Sequence, residues 1–348
     1  MSSTDVSRST HPTMQPQSSR RVAGVHYYSR SKRRLEHFSK VFVTILIFVS
    51  LCIAGLRFAP FQSFESLRSL WVTSAMTTMS HQYLATWFFS KAEIQTIMDS
   101  NKAAVLGNSD IAAIQTSKIG HDNGIQLIDI SQSGFKGYLL EIDDPARVQV
   151  AATQYLGQKG ERTQEIAQTT GALAVINGGE FNDPEGNGNG GRPLGILISN
   201  GKILYKDPLK TYNIIGFNRD NVLVLGNYSL DQIKKKNIRD AVSFSPFLVV
   251  NGKPAITQGD GGWGLAPRTA IGQTRDGKIL MLVIDGRQIG SIGATLKNVQ
   301  DIMLQHGAYN VANLDGGASS VLYYNNEVVN HPSSSYGERN VPSFFIVR

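Results

Sequence analysis

The sequence predicts an α+β protein, with a mixed β-sheet core and few helices, preceded by one N-terminal transmembrane helix and a helical stalk. Three observations predict it. Short runs of β-forming residues recur from about residue 124 onward, separated by Asn-Gly and Asp-Gly turns. Within that region "TLKNVQDIMLQHGA" carries Leu296, Val299, Ile302 and Met303 at helical spacing. Upstream of both stands an apolar run without a charge, Val41 to Leu56.

The N-terminal elements follow from charge and hydropathy. Residues 1–40 hold eight Lys/Arg against Asp5 and Glu36, so that nearly all of the net charge of +7 belongs to this tail. The remaining 308 residues are close to neutral, which excludes a nucleic-acid-binding body. The tail, rich in Ser, Arg and Gln, reads as a disordered cytoplasmic segment. Residues 41–58 read as a signal-anchor. Positive charge before the span keeps that side in the cytoplasm, so the body is expected to face outward, held at the cell membrane by a single pass. A cleavable signal peptide is the rival, but its basic start is normally short and followed by a small-residue cleavage site. Cys52 lies inside the apolar run and is the single cysteine, so the body is expected to hold no disulfide.

Residues 59–123 read as a stalk or linker. Ser90 is placed to cap a helix. Trp71, Trp87 and Phe88 are candidates either for the membrane interface or for packing on the body. The body spans 124–348. "IQLIDI", "GYLLEI", "RVQVAAT", "ALAVING", "LGILISNGKILY", "NIIGFN" and "NVLVLG" read as strands, with turns at Asn200-Gly201, Asn251-Gly252 and Asp276-Gly277. "KILMLVIDG" is continuously apolar and therefore a strand buried on both faces. Gly307 is expected to end the helix that begins near Leu296.

Polar clusters end these buried strands. They are "INGGEFND" (Asn177, Gly178, Gly179, Glu180), "APRTAIG" (Arg268, Thr269), "IDGRQ" (Asp285, Gly286, Arg287) and "LDGGASS" (Asp315, Gly316, Gly317, Ser319, Ser320). "YGERNVP" adds Glu338 and Arg339. Each has a bland alternative: a positive-φ loop for "NGG", hairpin turns for "DGR" and "DGG", a structural ion-pair network for Arg268. Taken together they suit an anionic sugar or a phosphodiester. Guanidinium forks match phosphate, glycine pairs bring backbone N–H groups close to an oxyanion, and carboxylates supply acid, base or nucleophile.

These segments stand in the order and rough spacing of the phosphodiester glycosidase family, whose bacterial members often carry an exopolysaccharide biosynthesis label. The chain resembles that family from about 125 to 348. The resemblance implies hydrolysis of the glycosidic bond of a sugar 1-phosphodiester, and the expected setting is a cell-surface or cell-wall glycopolymer. It places motif positions on Asn177, Gly178, Gly179, Arg268, Thr269, Asp285, Arg287, Asp315, Gly316, Gly317, Ser319, Ser320 and Arg339. Glu180 departs from the family, which often has an aromatic residue there. Arg268, Arg287 and the Gly178 and Gly179 N–H groups are expected on the phosphate. Asp315 is expected to face the anomeric carbon. Asp285 is expected to orient an arginine or to serve as a second carboxylate. Ser319 and Ser320 are expected on sugar hydroxyls or phosphate. Two other readings stay open: a non-catalytic glycan- or phosphate-binding protein of polysaccharide assembly, and a glycosyl-phosphate transferase.

No cofactor is expected. Zinc is not expected, because the body has no Cys and no paired His motif. "NDPEGNGNGG" opens like a calcium loop at Asp183, Glu185, Asn187 and Gly188, but Leu194 stands at its twelfth position, so the EF-hand reading fails and only a non-standard calcium site remains. The favoured reading is a glycine-rich rim with Arg192 pointing into the pocket. "GDGGWG" is expected to form a second rim, with Trp263 stacking on a sugar face.

Overall fold

The computed structural model describes residues 23–58, 61–78, 81–116, 124–184, 188–334 and 337–348. The tail before residue 23, most of the anticipated cytoplasmic segment, lies outside the described residues. The chain divides into two units, 1–60 and 61–348. Among the described residues the first holds one helix, α1 (Ala23–Phe58), within which Arg34–Phe58 is long and apolar enough to cross a membrane.

The second unit carries the α+β fold. Its largest sheet orders β1 (Ile125–Asp129), β2 (Gly137–Ile142), β13 (Ile279–Ile284), β12 (Arg268–Thr274), β14 (Ala308–Asn313), β10 (Phe247–Val250) and β11 (Lys253–Pro254). A second orders β16 (Glu327–Val328), β15 (Leu322–Tyr324), β4 (Ala174–Asn177), β17 (Ser343–Val347) and β3 (Val148–Ala152). A third orders β6 (Lys202–Lys206), β5 (Ile196–Ser199), β9 (Ile238–Ser243), β7 (Tyr212–Asn218) and β8 (Leu223–Tyr228). Ladders between these strands are antiparallel, and the parallel pairing among the described residues is the isolated bridge Lys102–Gly261. All three sheets feed one apolar core, including Leu140, Met281, Phe217, Leu225, Val242 and Phe345. That is why β13 reads as an unbroken apolar run: its other face packs under α7 (Leu296–Gln305), against Leu296, Val299 and Met303.

Local signals explain the boundaries. Asn200 and Gly201, with φ of 49° and 75°, make the tight turn between β5 and β6. Thr295 and Asn298 form a capping box at the start of α7, and Gly307, at φ 79°, follows its end as anticipated.

The anticipated stalk is helical but does not stand clear of the body. Helices α2 (Gln62–Met76), α3 (Tyr83–Thr86) and α4 (Lys91–Asn101) belong to the same compact unit as the sheets. Ser90 caps α4 in a box with Glu93. Trp71 packs on Phe88 and Phe89 in a small apolar cluster, whereas Trp87 is 73% exposed. The segment is tied to the body by buried polar contacts, chiefly Thr73 to Asp260, and by backbone bonds from Ala104 to Ala255 and from Ser109 to Leu225. Residues 117–123, the end of the expected linker, lie outside the described residues.

Candidate active site

Antiparallel pairing brings the polar clusters to one end of the sheets. Arg268 opens β12 opposite Ile284, the last residue of β13, and Ala270 pairs with Asn313, the last residue of β14. The segments after β13 and β14 therefore emerge beside the start of β12. The second sheet supplies the junction: Asn177, at the end of β4, donates from Nδ2 to the Asp315 carbonyl (2.6 Å) and accepts from Thr269 Oγ1 (2.8 Å). Asn177 and Thr269 are 1% and 0% exposed. They act as the weld that fixes the Asp315 backbone, with the Asp315 N–H donating to the Gly178 carbonyl (3.2 Å).

Beside this weld lies a cavity of about 700 Å³. Among the anticipated residues it is lined by Glu180, Arg268, Arg287, Asp315, Gly316, Gly317, Ser319 and Arg339. Residues that sequence reasoning missed, including Thr77, Phe181, Phe244, Ser245 and Ala266, complete the wall together with Trp263. Trp263 was anticipated from its glycine-rich rim. Thr77 carried no signal, because it comes from a helical segment far upstream of every motif.

The two arginines are held differently. Arg268 is 3% exposed; Nε donates to the Ala294 carbonyl (3.0 Å) and Nη2 to those of Trp263 (2.9 Å) and Gly264 (2.6 Å). Its hydrogen-bond partners are backbone carbonyls rather than the aspartates of the alternative structural network. Burial, reinforced by the Arg287 charge and opposed by Asp260, pushes its guanidinium down to about 9. Arg287 makes no side-chain hydrogen bond or ion pair among the described residues. Its backbone sits in the left-handed region at φ 58°, unusual for a bulky side chain. Burial lowers its pKa as well. Two guanidinium groups that repel each other, neither of them ion-paired among the described residues, make a strong attraction for an anion.

The carboxylates behave in the opposite sense. Asp315 is pushed up to about 6, first by burial; hydrogen bonds from Ser319 and the Gly316 N–H and the Arg339 charge pull the other way, while the Glu180 charge adds to the rise. Glu180, exposed at the cavity rim, is also raised, first by partial desolvation and then by the Asp207 charge. Arg339 pairs with Asp183 and lies 5.1 Å above the Phe181 ring.

Several anticipated groups are engaged elsewhere in the structure. Gly178 and Gly179 do not offer N–H groups to an anion, because Gly178 N–H donates to the Ser343 carbonyl (2.9 Å) and Gly179 N–H to Ser343 Oγ (3.1 Å). Neither is in a left-handed conformation. Glycine is required there because a Cβ on Gly179 would stand 2.6 Å from the Ser243 carbonyl oxygen and one on Gly178 2.9 Å from the Ser343 backbone. Gly179→Ala is expected to cost about 1–3 kcal/mol, read as a fall in thermal midpoint.

Asp285 does not line the cavity. It is 3% exposed and its oxygens accept from Asn330 Nδ2 (2.8 Å) and the His331 N–H (3.1 Å), so it clamps the chain after β16. Ser320 is also buried outside the lining, its Oγ without a hydrogen-bond partner among the described residues. Arg192 turns away to Tyr205 (3.0 Å) and Asp207 on the surface. The calcium-like loop has its first position, Asp183, taken by Arg339 and by the Gly188 N–H (2.7 Å), while Glu185 and Asn187 lie outside the described residues.

The phosphodiester glycosidase family profile matches residues 170–348. The chain belongs to the phosphodiester glycosidase family. It is 31% identical over 157 residues to the SPbeta prophage-derived protein YomE of Bacillus subtilis, covering 41% of this chain and 24% of that protein. It is 27% identical over 187 residues to N-acetylglucosamine-1-phosphodiester alpha-N-acetylglucosaminidase of Bos taurus, covering 49% of this chain and 34% of that protein. The chain thus spans about a quarter to a third of the length of these curated relatives. Among solved structures it is similar in fold to the catalytic domain of the zebrafish N-acetylglucosamine-1-phosphodiester alpha-N-acetylglucosaminidase, auto-inhibited by its pro-peptide. That similarity has a TM-score of 0.57 and 23% identity, over 70% of this chain and 88% of that one. In this chain the family-matched stretch contains Asn177, Arg268, Arg287, Asp315 and Arg339, but not the helices that carry Thr77.

Proposed function

We propose that this protein hydrolyses the glycosidic bond of a sugar 1-phosphodiester, releasing the sugar and a phosphomonoester. The observation that carries the reading is the pairing, on one cavity, of two guanidinium groups without ion-pair partners among the described residues and two carboxylates with raised pKa values. Family membership points the same way. Arg287, with the cavity-facing part of Arg268, binds the phosphate and neutralises the charge that grows on the leaving oxygen. A phosphate leaves readily as an anion, so little protonation of the leaving group is needed. Asp315, ionised above about pH 6, faces the anomeric carbon and stabilises the oxocarbenium-like sugar. Glu180 takes a proton from the attacking water as its oxygen bonds to that carbon, and the electron pair of the broken C–O bond stays on the phosphate. Trp263 and Phe244, 5.9 Å apart and steeply inclined, offer an apolar face for the sugar ring.

The apolar span at Arg34–Phe58 and the basic residues before it support a membrane-anchored enzyme whose catalytic domain faces away from the cytoplasm, acting on phosphate-containing surface glycopolymers. The test is to incubate the full-length chain in detergent with a panel of sugar 1-phosphodiesters, with and without chelator, and to identify products by mass. Free sugar and phosphomonoester in equal amounts are expected. Transfer of the sugar to an added alcohol, or binding without turnover across the panel, would replace this reading.

A further inference from the structure

The wall of the cavity that carries Trp263 is a loop with little stiffness of its own. Gly259, Gly261, Gly262 and Gly264 all take left-handed φ values, between 55° and 92°. Such a run loses much conformational freedom when ordered, so its shape has to be imposed from outside. Inside the loop the Gly262 N–H donates to Asp260 Oδ1 (2.7 Å), and from the body the Lys297 N–H donates to the Asp260 carbonyl (3.3 Å), but several further contacts come from the upstream helices. Thr73, 0% exposed on α2, donates its hydroxyl to Asp260, which is 8% exposed. The Asp260 N–H donates to Asn101 Oδ1 on α4 (3.2 Å), and the Leu265 N–H to Ser74 Oγ on α2 (3.0 Å). Thr77 Oγ1 donates to the Trp263 carbonyl (3.1 Å) and lines the cavity itself. A Cβ at Gly264 would stand 2.3 Å from Ser74 Cα, so helix and loop are in direct backbone contact.

The other side of the same loop is gripped by the catalytic arginine. Arg268 Nη2 donates to the Trp263 and Gly264 carbonyls, the former shared with Thr77. The position of α2 is therefore transmitted through two adjacent carbonyls to a phosphate-binding guanidinium.

We infer that the α2–α4 helices are a working part of the active site, in which Thr73 and Asp260 are positioning residues that set the Trp263–Arg268 wall. This rests on reading the cavity as the substrate site. It extends the catalytic unit upstream of the stretch shared with the family profile. An oxygen of a buried carboxylate that loses its donor seeks another partner, and here the nearest adjustment is a shift of the glycine loop. Misplacement of a binding group by about 1 Å can cost on the order of 10²-fold in rate.

The experiment uses the full-length chain as Thr73→Val, Thr73→Ser and Thr77→Val, assayed well below each thermal midpoint. Turnover of an aryl sugar 1-phosphodiester, inhibition by inorganic phosphate and Trp263 emission are measured, with Trp263→Phe assigning the emission. Thr73→Val is expected to raise KM and the phosphate inhibition constant about tenfold, lower kcat by a similar factor and shift the emission. Thr73→Ser, which keeps the hydroxyl, is expected to restore all three. Thr77→Val, at an exposed position, is expected to raise KM about threefold and serves if Thr73→Val does not fold. A Thr73→Val or Thr77→Val protein with altered thermal midpoint alone would overturn the inference. Should the wild type turn over no phosphodiester, phosphate binding by fluorescence titration and Trp263 emission still decide the positioning role, separately from the reaction.

Discussion

Replacing Asp315 by asparagine is expected to lower kcat by at least about 10³ and, at neutral pH, to make the protein more stable. The two effects have one cause. The carboxylate is held at about 6, against an ordinary value of 3.8, because burial penalises its charge more than Ser319, the Gly316 N–H and Arg339 stabilise it. The unfolded chain gives up this proton near pH 4 and the folded chain only near pH 6. Between those values the folded state binds the extra proton, so stability falls as pH rises through the window. Above about pH 6 the wild type carries the whole penalty, on the order of 1–3 kcal/mol. Asparagine never ionises and can still accept from Ser319 and Gly316, so the gain in thermal midpoint should be full above pH 6 and vanish towards pH 4. Thermal scans of both proteins across pH 4–8 measure it. A midpoint difference independent of pH would show that Asp315 is not the strained charge. Activity runs the other way: kcat/KM of the wild type should fall about tenfold per unit below pH 6, as the carboxylate becomes neutral.

Arg287→Ala is expected to reduce kcat/KM by about 10²–10³ with almost no loss of stability. Its guanidinium spends no hydrogen bond on the protein among the described residues, and it lowers the pKa of Arg268 by repulsion. Its removal therefore relieves a like-charge contact. Alanine keeps a β-carbon, so the left-handed backbone at this position is strained as before. Arg287→Lys should recover part of the loss, since it returns the charge without the planar fork. The measurements are kcat, KM and phosphate inhibition beside thermal midpoints. Equal turnover in Arg287→Ala and wild type would remove this arginine from the site. Arg268 does not offer so clean an experiment, because three backbone carbonyls depend on it.

Much of the fold was legible because it is written in short-range pattern. The alternation and clustering of β-formers, the Asn-Gly turn at Asn200-Gly201, the box at Ser90 and Glu93 and the glycine after α7 each depend on neighbours within a few residues. The carboxylates and arginines at strand ends were also legible. Buried strands that end in charge need a shared polar site, and Asp315, Arg268, Arg287, Glu180 and Arg339 do line one cavity.

What the sequence by itself determined, then, is which residue types end each strand and where each strand turns. Only the tertiary structure decided what each polar group faces. The "NGG" and "DGG" segments look alike as strings. Yet the Gly178 and Gly179 N–H groups are consumed by Ser343 on another strand, while Gly316 and Gly317 line the cavity. Asp285 and Asp315 both follow a strand and precede glycine. One is closed over by Asn330 and His331, the other opens on the cavity. The helices expected as a stalk are pressed against Trp263. The physical reason is that a strand or turn is set by local torsions and periodicity, whereas the partner of a donor or acceptor is set by whichever distant segment packing brings within 3 Å of it.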